Sequence, residues 1–330
     1  MLIRKTNISE VSTQSRFIIM ANILFISDGK GIDYQCDCVF HGLNSIEGIN
    51  VYILNDYQYM FDGNSIEFLS RQYGMGFTIT NRVSINKRRI HTLDEATENI
   101  RMKFYDVIIF GSIGRCNLLL DVVLLYYSKN RIVFIDGEDE DFSVRMVYRM
   151  KGRIKAPMFY GKYKKRAVDL SKNGIYFKRE LRVKERKNFY PISFAIPSQN
   201  VLEVVPEKSI LLAKIIPGKL DTYIYNKEED YYNGYKRAWF GMTIKKAGWD
   251  CMRHYEILAN GCIPYFPDLD DCPFTTMHTF PKNIILETNR LYEENRISES
   301  LAGFYAELLL GYTREYLTTD RLARYILSFV

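Results

Sequence analysis

Short apolar runs alternate with amphipathic stretches along the first half of this chain. Ala21–Ser27 (ANILFIS), Asn50–Leu54, Asp106–Gly111 (DVIIFG) and Arg131–Asp136 (RIVFID) are apolar at successive positions, the pattern of strands covered on both faces. Between them, residues 34–46 set Val39, Leu43 and Ile46 along one helical face, and a second helix is predicted over 116–127. This alternation predicts a parallel sheet with helices on both sides. Segment 175–200 holds two short strand-like runs, and residues 197–208 read as a connection between halves. The second half then shows a strand at Ser209–Ile215, a polar helix at 228–240 and a helix leading into an apolar strand at Cys262–Phe266. A short strand at Asn283–Leu286 and two terminal helices at 290–311 and 313–328 complete the pattern. The predicted fold class is α/β, as two Rossmann-like units facing a cleft, over residues 21–196 and 197–330. Residues 1–20 precede the first strand as a predicted disordered extension, and Met20 is an alternative start of translation.

With 330 residues the chain can bury one large core or two medium ones. Its 47% hydrophobic and 25% charged content is that of an ordinary globular protein. The 25 Tyr and 20 Phe suit sugar stacking as well as core filling, so they discriminate little. Net charge is +6, and the excess lies mainly in residues 149–187, a solvated basic face or a contact for an anionic membrane surface. No nucleic-acid module signature is present, so no nucleic-acid partner is expected. No run reaches the roughly 18 apolar residues of a membrane span. The first 19 residues lack the apolar centre of a secretory leader, which predicts a cytoplasmic protein, peripheral to the membrane at most. The six cysteines are scattered, without C-x-x-C, and only four histidines accompany them, which argues against structural zinc and for free thiols in a reducing compartment.

One stretch carries specific chemistry: Gly248–Pro264, GWDCMRHYEILANGCIP. Asp250 is a candidate N-cap and Gly261 a candidate residue just past the helix end. Between them Arg253, Glu256 and Asn260 share one helical face. Taken alone, an Arg/Glu pair one turn apart reads as a solvated surface pair worth a few tenths of a kcal/mol. Near a helix start it also suits a nucleotide diphosphate. The guanidinium and helix N-terminus attract phosphates, and a carboxylate can accept both hydroxyls of a ribose.

The segment R-x-x-E-I-L-A-x-G-C-I-P, Arg253 to Pro264, resembles the nucleotide-sugar motif of GT-B glycosyltransferases, most closely the exostosin-like type. The match covers residues 246–266 and is diffuse elsewhere. The resemblance implies a metal-independent transferase without a cofactor, moving a sugar from a nucleotide-diphosphate sugar to a glycan or lipid-linked acceptor, as in polysaccharide biosynthesis. Glu256 would hold the ribose; Arg253, Lys246 and Lys245 would meet the diphosphate, with Gly248 and Asp250 in the same loop. Retaining members of the fold carry a second Glu eight residues before the ribose-binding one; here that position is Gly248, which favours inversion.

An inverting enzyme needs a base near the acceptor, expected after the first strand. Asp28, Asp33, Asp37 and His41 are the candidates there, and Asp33 comes first by its place at the helix start, where it is equally a cap. After the strand ending at Asp136 come five carboxylates in Asp136–Asp141; Asp136 and Glu138 are candidate contacts for acceptor hydroxyls. The calcium-loop spacing is absent, and Asp268-Leu269-Asp270 lies in the wrong place for a D-x-D motif, so no metal is expected. Lys178 and Arg179 are further cations after a strand-like run, and His254 reads as a packing residue. Three rival readings remain: an epimerase-like enzyme or polymer-modifying transferase on the same scaffold, a non-catalytic nucleotide-sugar or glycan-binding protein, and a structural or interaction module that shares the motif by accident.

Overall fold

Backbone pairing sorts the strands into two parallel sheets and one small hairpin. The computed structural model describes residues 20–142, 149–150, 153–154, 158–182 and 187–330. The predicted extension before Met20 and residues 151–152, 155–157 and 183–186 of the basic segment 149–187 lie outside the described residues.

The elements run β1 (Ala21–Ile26), α1 (Tyr34–Ser45), β2 (Ile49–Ile53), α2 (Ile66–Ser70), β3 (Arg89–Ile90), α3 (Leu93–Arg101), β4 (Val107–Phe110), α4 (Leu120–Tyr126) and β5 (Ile132–Asp136). Next come the hairpin β6 (Arg149–Met150) and β7 (Arg153–Ile154), then α5 (Met158–Asn173), β8 (Ile175–Lys178) and β9 (Tyr190–Pro191). The second half holds β10 (Ile210–Leu212), α6 (Glu228–Lys236), β11 (Ala238–Met242), α7 (Met252–Ala259), β12 (Ile263–Tyr265), α8 (Lys282–Glu293), α9 (Glu299–Tyr316) and α10 (Thr319–Leu327).

The first sheet has the order β3-β2-β1-β4-β5-β8-β9, all parallel. Its order reverses between β1 and β4, so the loop after β1 opens at a topological switch point, where ligands of such sheets bind. The second sheet is β10-β11-β12, also parallel. The α/β class with parallel sheets is therefore observed. The apolar strands and the helices expected in the first half are found within a few residues of their predicted places.

Three expectations are corrected. Asn283–Leu286 is not a strand but the start of α8, whose buried Ile285, Thr288, Asn289 and Leu291 recur at helical spacing. A four-residue apolar run carries no period of its own, and the helix that follows absorbed it. The polar helix expected at 228–240 stops at Lys236, and Ala238–Met242 is instead the central strand of the second sheet. The terminal helices break at Leu317–Thr318 rather than at residue 312, because Thr318 pairs with Ile196 of the first half and interrupts the helical ladder.

The last helix packs on the first half. A Cβ on Gly42 of α1 would lie 1.9 Å from the Thr319 carbonyl oxygen, so only glycine permits this close crossing. One apolar cluster runs from Phe25 and Phe40 through Tyr255 and Leu258 of α7 to Leu309 and Ile326, joining the elements around both sheets.

Candidate functional site

The loop before α7 is built by side chains from both halves. Gly248 lies against the first half so closely that a Cβ would meet the Glu180 carboxylate at 2.7 Å and Asp139 at 3.1 Å. Glu180 accepts the backbone amides of Trp249 and Asp250 at 3.0 and 3.1 Å. Arg179, only 2% exposed, donates to the carbonyls of Asp250 at 2.7 Å and Gly137 at 3.0 Å, pairs with Asp139, and lies over the Phe194 ring. The His254 ring packs tilted against Phe266, centroids 4.6 Å apart, with its ring nitrogens 2.8 Å from the Thr243 hydroxyl and the Trp249 carbonyl. It is the packing residue the sequence suggested.

Asp250 is not the cap of α7: Cys251 holds that position and makes no side-chain cap bond. The Asp250 carboxylate instead accepts from the Phe194 amide at 2.7 Å and the Tyr255 hydroxyl at 3.0 Å. Burial pushes it up to about 6, against the pull of Arg179 and these hydrogen bonds. Lys178 and Arg179 thus serve internal networks rather than an open cleft.

On α7 itself the solvated-pair reading fails, because Glu256 is 5% exposed. One of its carboxylate oxygens accepts from the Thr78 hydroxyl, the other from Tyr231 at 2.5 Å, and burial raises its pKa. Asn260 turns its amide back to the Glu256 carbonyl at 2.8 Å and so belongs to the helix end. Arg253 is the unusual group. Its Nε and Nη1 are buried without a hydrogen-bond partner among the described residues, although such groups nearly always have one. The guanidinium sits 5.7 Å from the Tyr223 ring, and Lys246 Nζ lies 5.7 Å from the same ring and 3.2 Å from its hydroxyl. Burial acts to raise the Tyr223 phenol, but the Gly218 amide, Lys246 and Arg253 together bring it below its usual value, the mark of a positive field. Lys245 is exposed, 5.3 Å over Trp249, with its amide on Asp268.

On the first half, Asp33 caps α1 by accepting from the Cys36 amide at 3.4 Å, and its other oxygen pairs with Arg115 at 3.2 Å. Arg115 also holds Glu138 at 3.2 Å. Asp28 lies on the partly exposed loop between β1 and α1. Asp37 is buried, accepts from Tyr59 at 2.8 Å, and is pushed well up by burial. His41 faces α10, 2.8 Å from the Thr319 hydroxyl, and burial lowers it to about 4. Asp136 is buried against Lys178 at 3.0 Å and accepts from Tyr176 at 2.8 Å and from Tyr163. The acidic run is answered by cations: Asp136 by Lys178, Glu138 by Arg115, Asp139 by Arg179 and Asp141 by Arg182. Among the described residues no three His, Cys, Asp or Glu gather around a metal-sized point, and no helix is long and apolar enough to cross a membrane.

The fold therefore groups Arg253, Glu256 and Lys246 on one side, and Asp33 and Glu138 around Arg115 on the other. Tyr34, next to Asp33, packs its ring against Tyr73 and Phe194, and burial, with the charge of Glu256 second, raises its phenol. His41, Asp37 and Asp136 are drawn into the interior. Sequence reasoning missed Thr78, Tyr223, Tyr231, Glu180 and Arg115. Tyr223 lies beyond the carboxyl end of β10, where the strand-end rule would have found it. Nothing in the sequence marks Thr78.

No protein-family profile and no curated protein sequence matches the chain. Among solved structures, one similar chain is an alpha-glucosyltransferase in complex with UDP and a 13-mer DNA containing a HMU base, at 10% identity and TM-score 0.45 over 94% of this chain and 99% of that one. Another is Anabaena Alr3699/HepE in complex with UDP-glucose, at 8% identity and TM-score 0.44 over 93% and 98%. A third is a mutant of S. aureus TarM in complex with Fondaparinux, alpha-GlcNAc-glycerol and UDP, at 9% identity and TM-score 0.45 over 94% and 99%.

Proposed function

We propose that this chain is a GT-B-like glycosyltransferase whose donor, a nucleotide-diphosphate sugar, binds against α7. The single observation that carries the reading is Arg253. A buried guanidinium with two unpartnered N–H groups is unfavourable in the free protein and fits an anion supplied by a ligand. Its neighbours fit the rest of such a ligand. Lys246 and the uncapped first turn of α7 suit a diphosphate, and Glu256, one turn along, suits the vicinal diol of a ribose.

In this reading the C-terminal half, residues 197–330, binds the donor and residues 21–196 the acceptor. Departure of the nucleoside diphosphate is the electrostatic task, and Arg253, Lys246 and the amides of α7 stabilise the charge that develops on it. Asp33 is the base of choice among the first-half carboxylates. It retains partial exposure at the switch-point loop, whereas Asp37 and Asp136 are buried in internal networks. It would take the proton from an acceptor hydroxyl attacking the anomeric carbon, giving inversion. No metal enters this scheme. The acceptor class, glycan or lipid-linked, follows only from the motif's resemblance.

The test is a panel of nucleoside diphosphates and nucleotide sugars assayed by thermal shift, followed by release of nucleoside diphosphate with candidate acceptors. One nucleotide family should raise the melting temperature of the parent and fail to do so with Glu256→Ala and Arg253→Ala. Binding without any release across acceptors would favour the non-catalytic reading. No shift at millimolar ligand would sink the donor site.

A further inference from the structure

A strained segment of the first half covers the carboxylate assigned to the donor. Residues 73–78 (YGMGFT) leave α2 and run to α7 and α6. The Tyr73 ring packs 6.2 Å from Tyr34, and Gly74 crosses the Tyr34 hydroxyl so closely that a Cβ would lie 2.7 Å from it. Phe77 lies 5.6 Å from the Tyr231 ring. The segment ends on Thr78, which is fully buried at φ +76, and Met75 stands at φ +58. A β-branched residue in the left-handed region persists only when its surroundings hold it there.

The hold on Thr78 is visible. Its amide donates to Glu228 at 2.7 Å, and its carbonyl accepts from Arg82 and Asn200, each at 3.1 Å. Its hydroxyl donates to Glu256 and lies 2.7 Å from the Tyr232 hydroxyl. With Tyr231 on the second oxygen, both oxygens of Glu256 already accept a hydroxyl hydrogen. A ribose diol would need the same two oxygens. One helical turn away, Nε and Nη1 of Arg253 have no hydrogen-bond partner among the described residues. The carboxylate is thus plugged from within while the cation beside it is left unsatisfied.

We propose that residues 73–78 form an autoinhibitory strap, with the Thr78 hydroxyl standing where a ribose hydroxyl would bind, and that the nucleotide must displace it to reach Glu256. This rests on the donor-site reading above and adds to it a competition between strap and ligand. Leaving the left-handed conformation relieves the strain at Thr78, so the displaced state is accessible once the ligand supplies the hydroxyls.

The experiment uses the full chain, titrated calorimetrically with the nucleoside diphosphate found in the thermal-shift panel, and read a second time by amide hydrogen exchange over residues 73–79. Thr78→Val keeps the branched shape and removes the hydroxyl. It should bind about ten-fold tighter than the parent, the factor associated with one hydrogen bond to a charged group. Thr78→Ser keeps the hydroxyl and should stay within a factor of about two or three of the parent, the usual spread of context effects on such a contact. In the parent, ligand should speed exchange of amides 73–79. Parent binding with Thr78→Val equal or weaker, or slower exchange over 73–79 on binding, overturns the strap and leaves the donor site standing. No binding by either protein overturns the donor site and the strap with it.

Discussion

Replacing Arg253 with Met separates stability from function. The Met side chain follows much of the arginine stem and removes the guanidinium whose Nε and Nη1 have no partner among the described residues. An unsatisfied buried N–H costs about 1–3 kcal/mol, so two of them, taken at the lower bound, leave a penalty of about 2 kcal/mol in the free protein. Arg253→Met should relieve it. With an unfolding entropy of about 2.1 cal/mol/K per residue over 330 residues, 2 kcal/mol corresponds to a melting temperature about 3 °C higher. Ligand binding should move the other way. Two charge-assisted hydrogen bonds to a diphosphate, each about 1.5–3 kcal/mol, make the variant's affinity roughly 10²–10⁴-fold weaker. Scanning calorimetry reads the first quantity and titration with nucleoside diphosphate the second. A variant that melts several degrees lower while binding nucleotide as well as the parent would refute the reasoning, because it would make Arg253 a structural residue.

Three further outcomes follow from the same structure. Asp250 titrates at 3.8 unfolded and at about 6 folded, so the folded state takes up a proton between these values and stability contributed by this group is lost as pH rises from about 4 to 6. That difference amounts to about 3 kcal/mol at most, and urea denaturation of Asp250→Asn at pH 4 and 6.5 should show that much less loss than the parent. The buried histidines act oppositely. His41 is lowered from 6.5 to about 4 and His254 to about 3, so each loses stability as pH falls below 6.5, about 2 kcal/mol apiece by pH 5. His41→Gln should flatten that acid limb relative to the parent, and an unchanged limb would refute the assignment. Finally, Gly42→Ala drives a Cβ to 1.9 Å from the Thr319 carbonyl and should destabilise by several kcal/mol, read as a lower denaturation midpoint; an unchanged midpoint would show that α10 moves freely from α1.

Much of the architecture was legible in the pattern of apolar positions. The central strands β1, β4 and β5 of the first sheet announce themselves because a strand buried on both faces must be apolar at nearly every position, and the helix α1 because one face alone is, whereas the two-residue edge strand β3, Arg89–Ile90, carries no such signal. The central strand of the second sheet escaped for a physical reason: Ala238–Met242 follows α6 with only Arg237 between them, so no turn residue separates the two periods. Asn283–Leu286 misled for the complementary reason, since four apolar residues fit either period. The helix of the Gly248–Pro264 motif was placed within two residues by its start and by Gly261 at φ +62.

The sequence by itself determined which residues share a helical face, and so set Arg253 and Glu256 side by side. Only the tertiary structure decided what surrounds them. Local spacing cannot say that Thr78, 178 positions away, ends on Glu256, or that Asp136 and His41 are drawn into the interior while Asp33 stays at the switch-point loop. It cannot say either that Glu180 and Arg179 of the first half hold the loop before α7. Those outcomes depend on burial and on which charges meet across long sequence separations. Packing fixes these, because a desolvated charge or polar group must find its partner wherever the fold brings one.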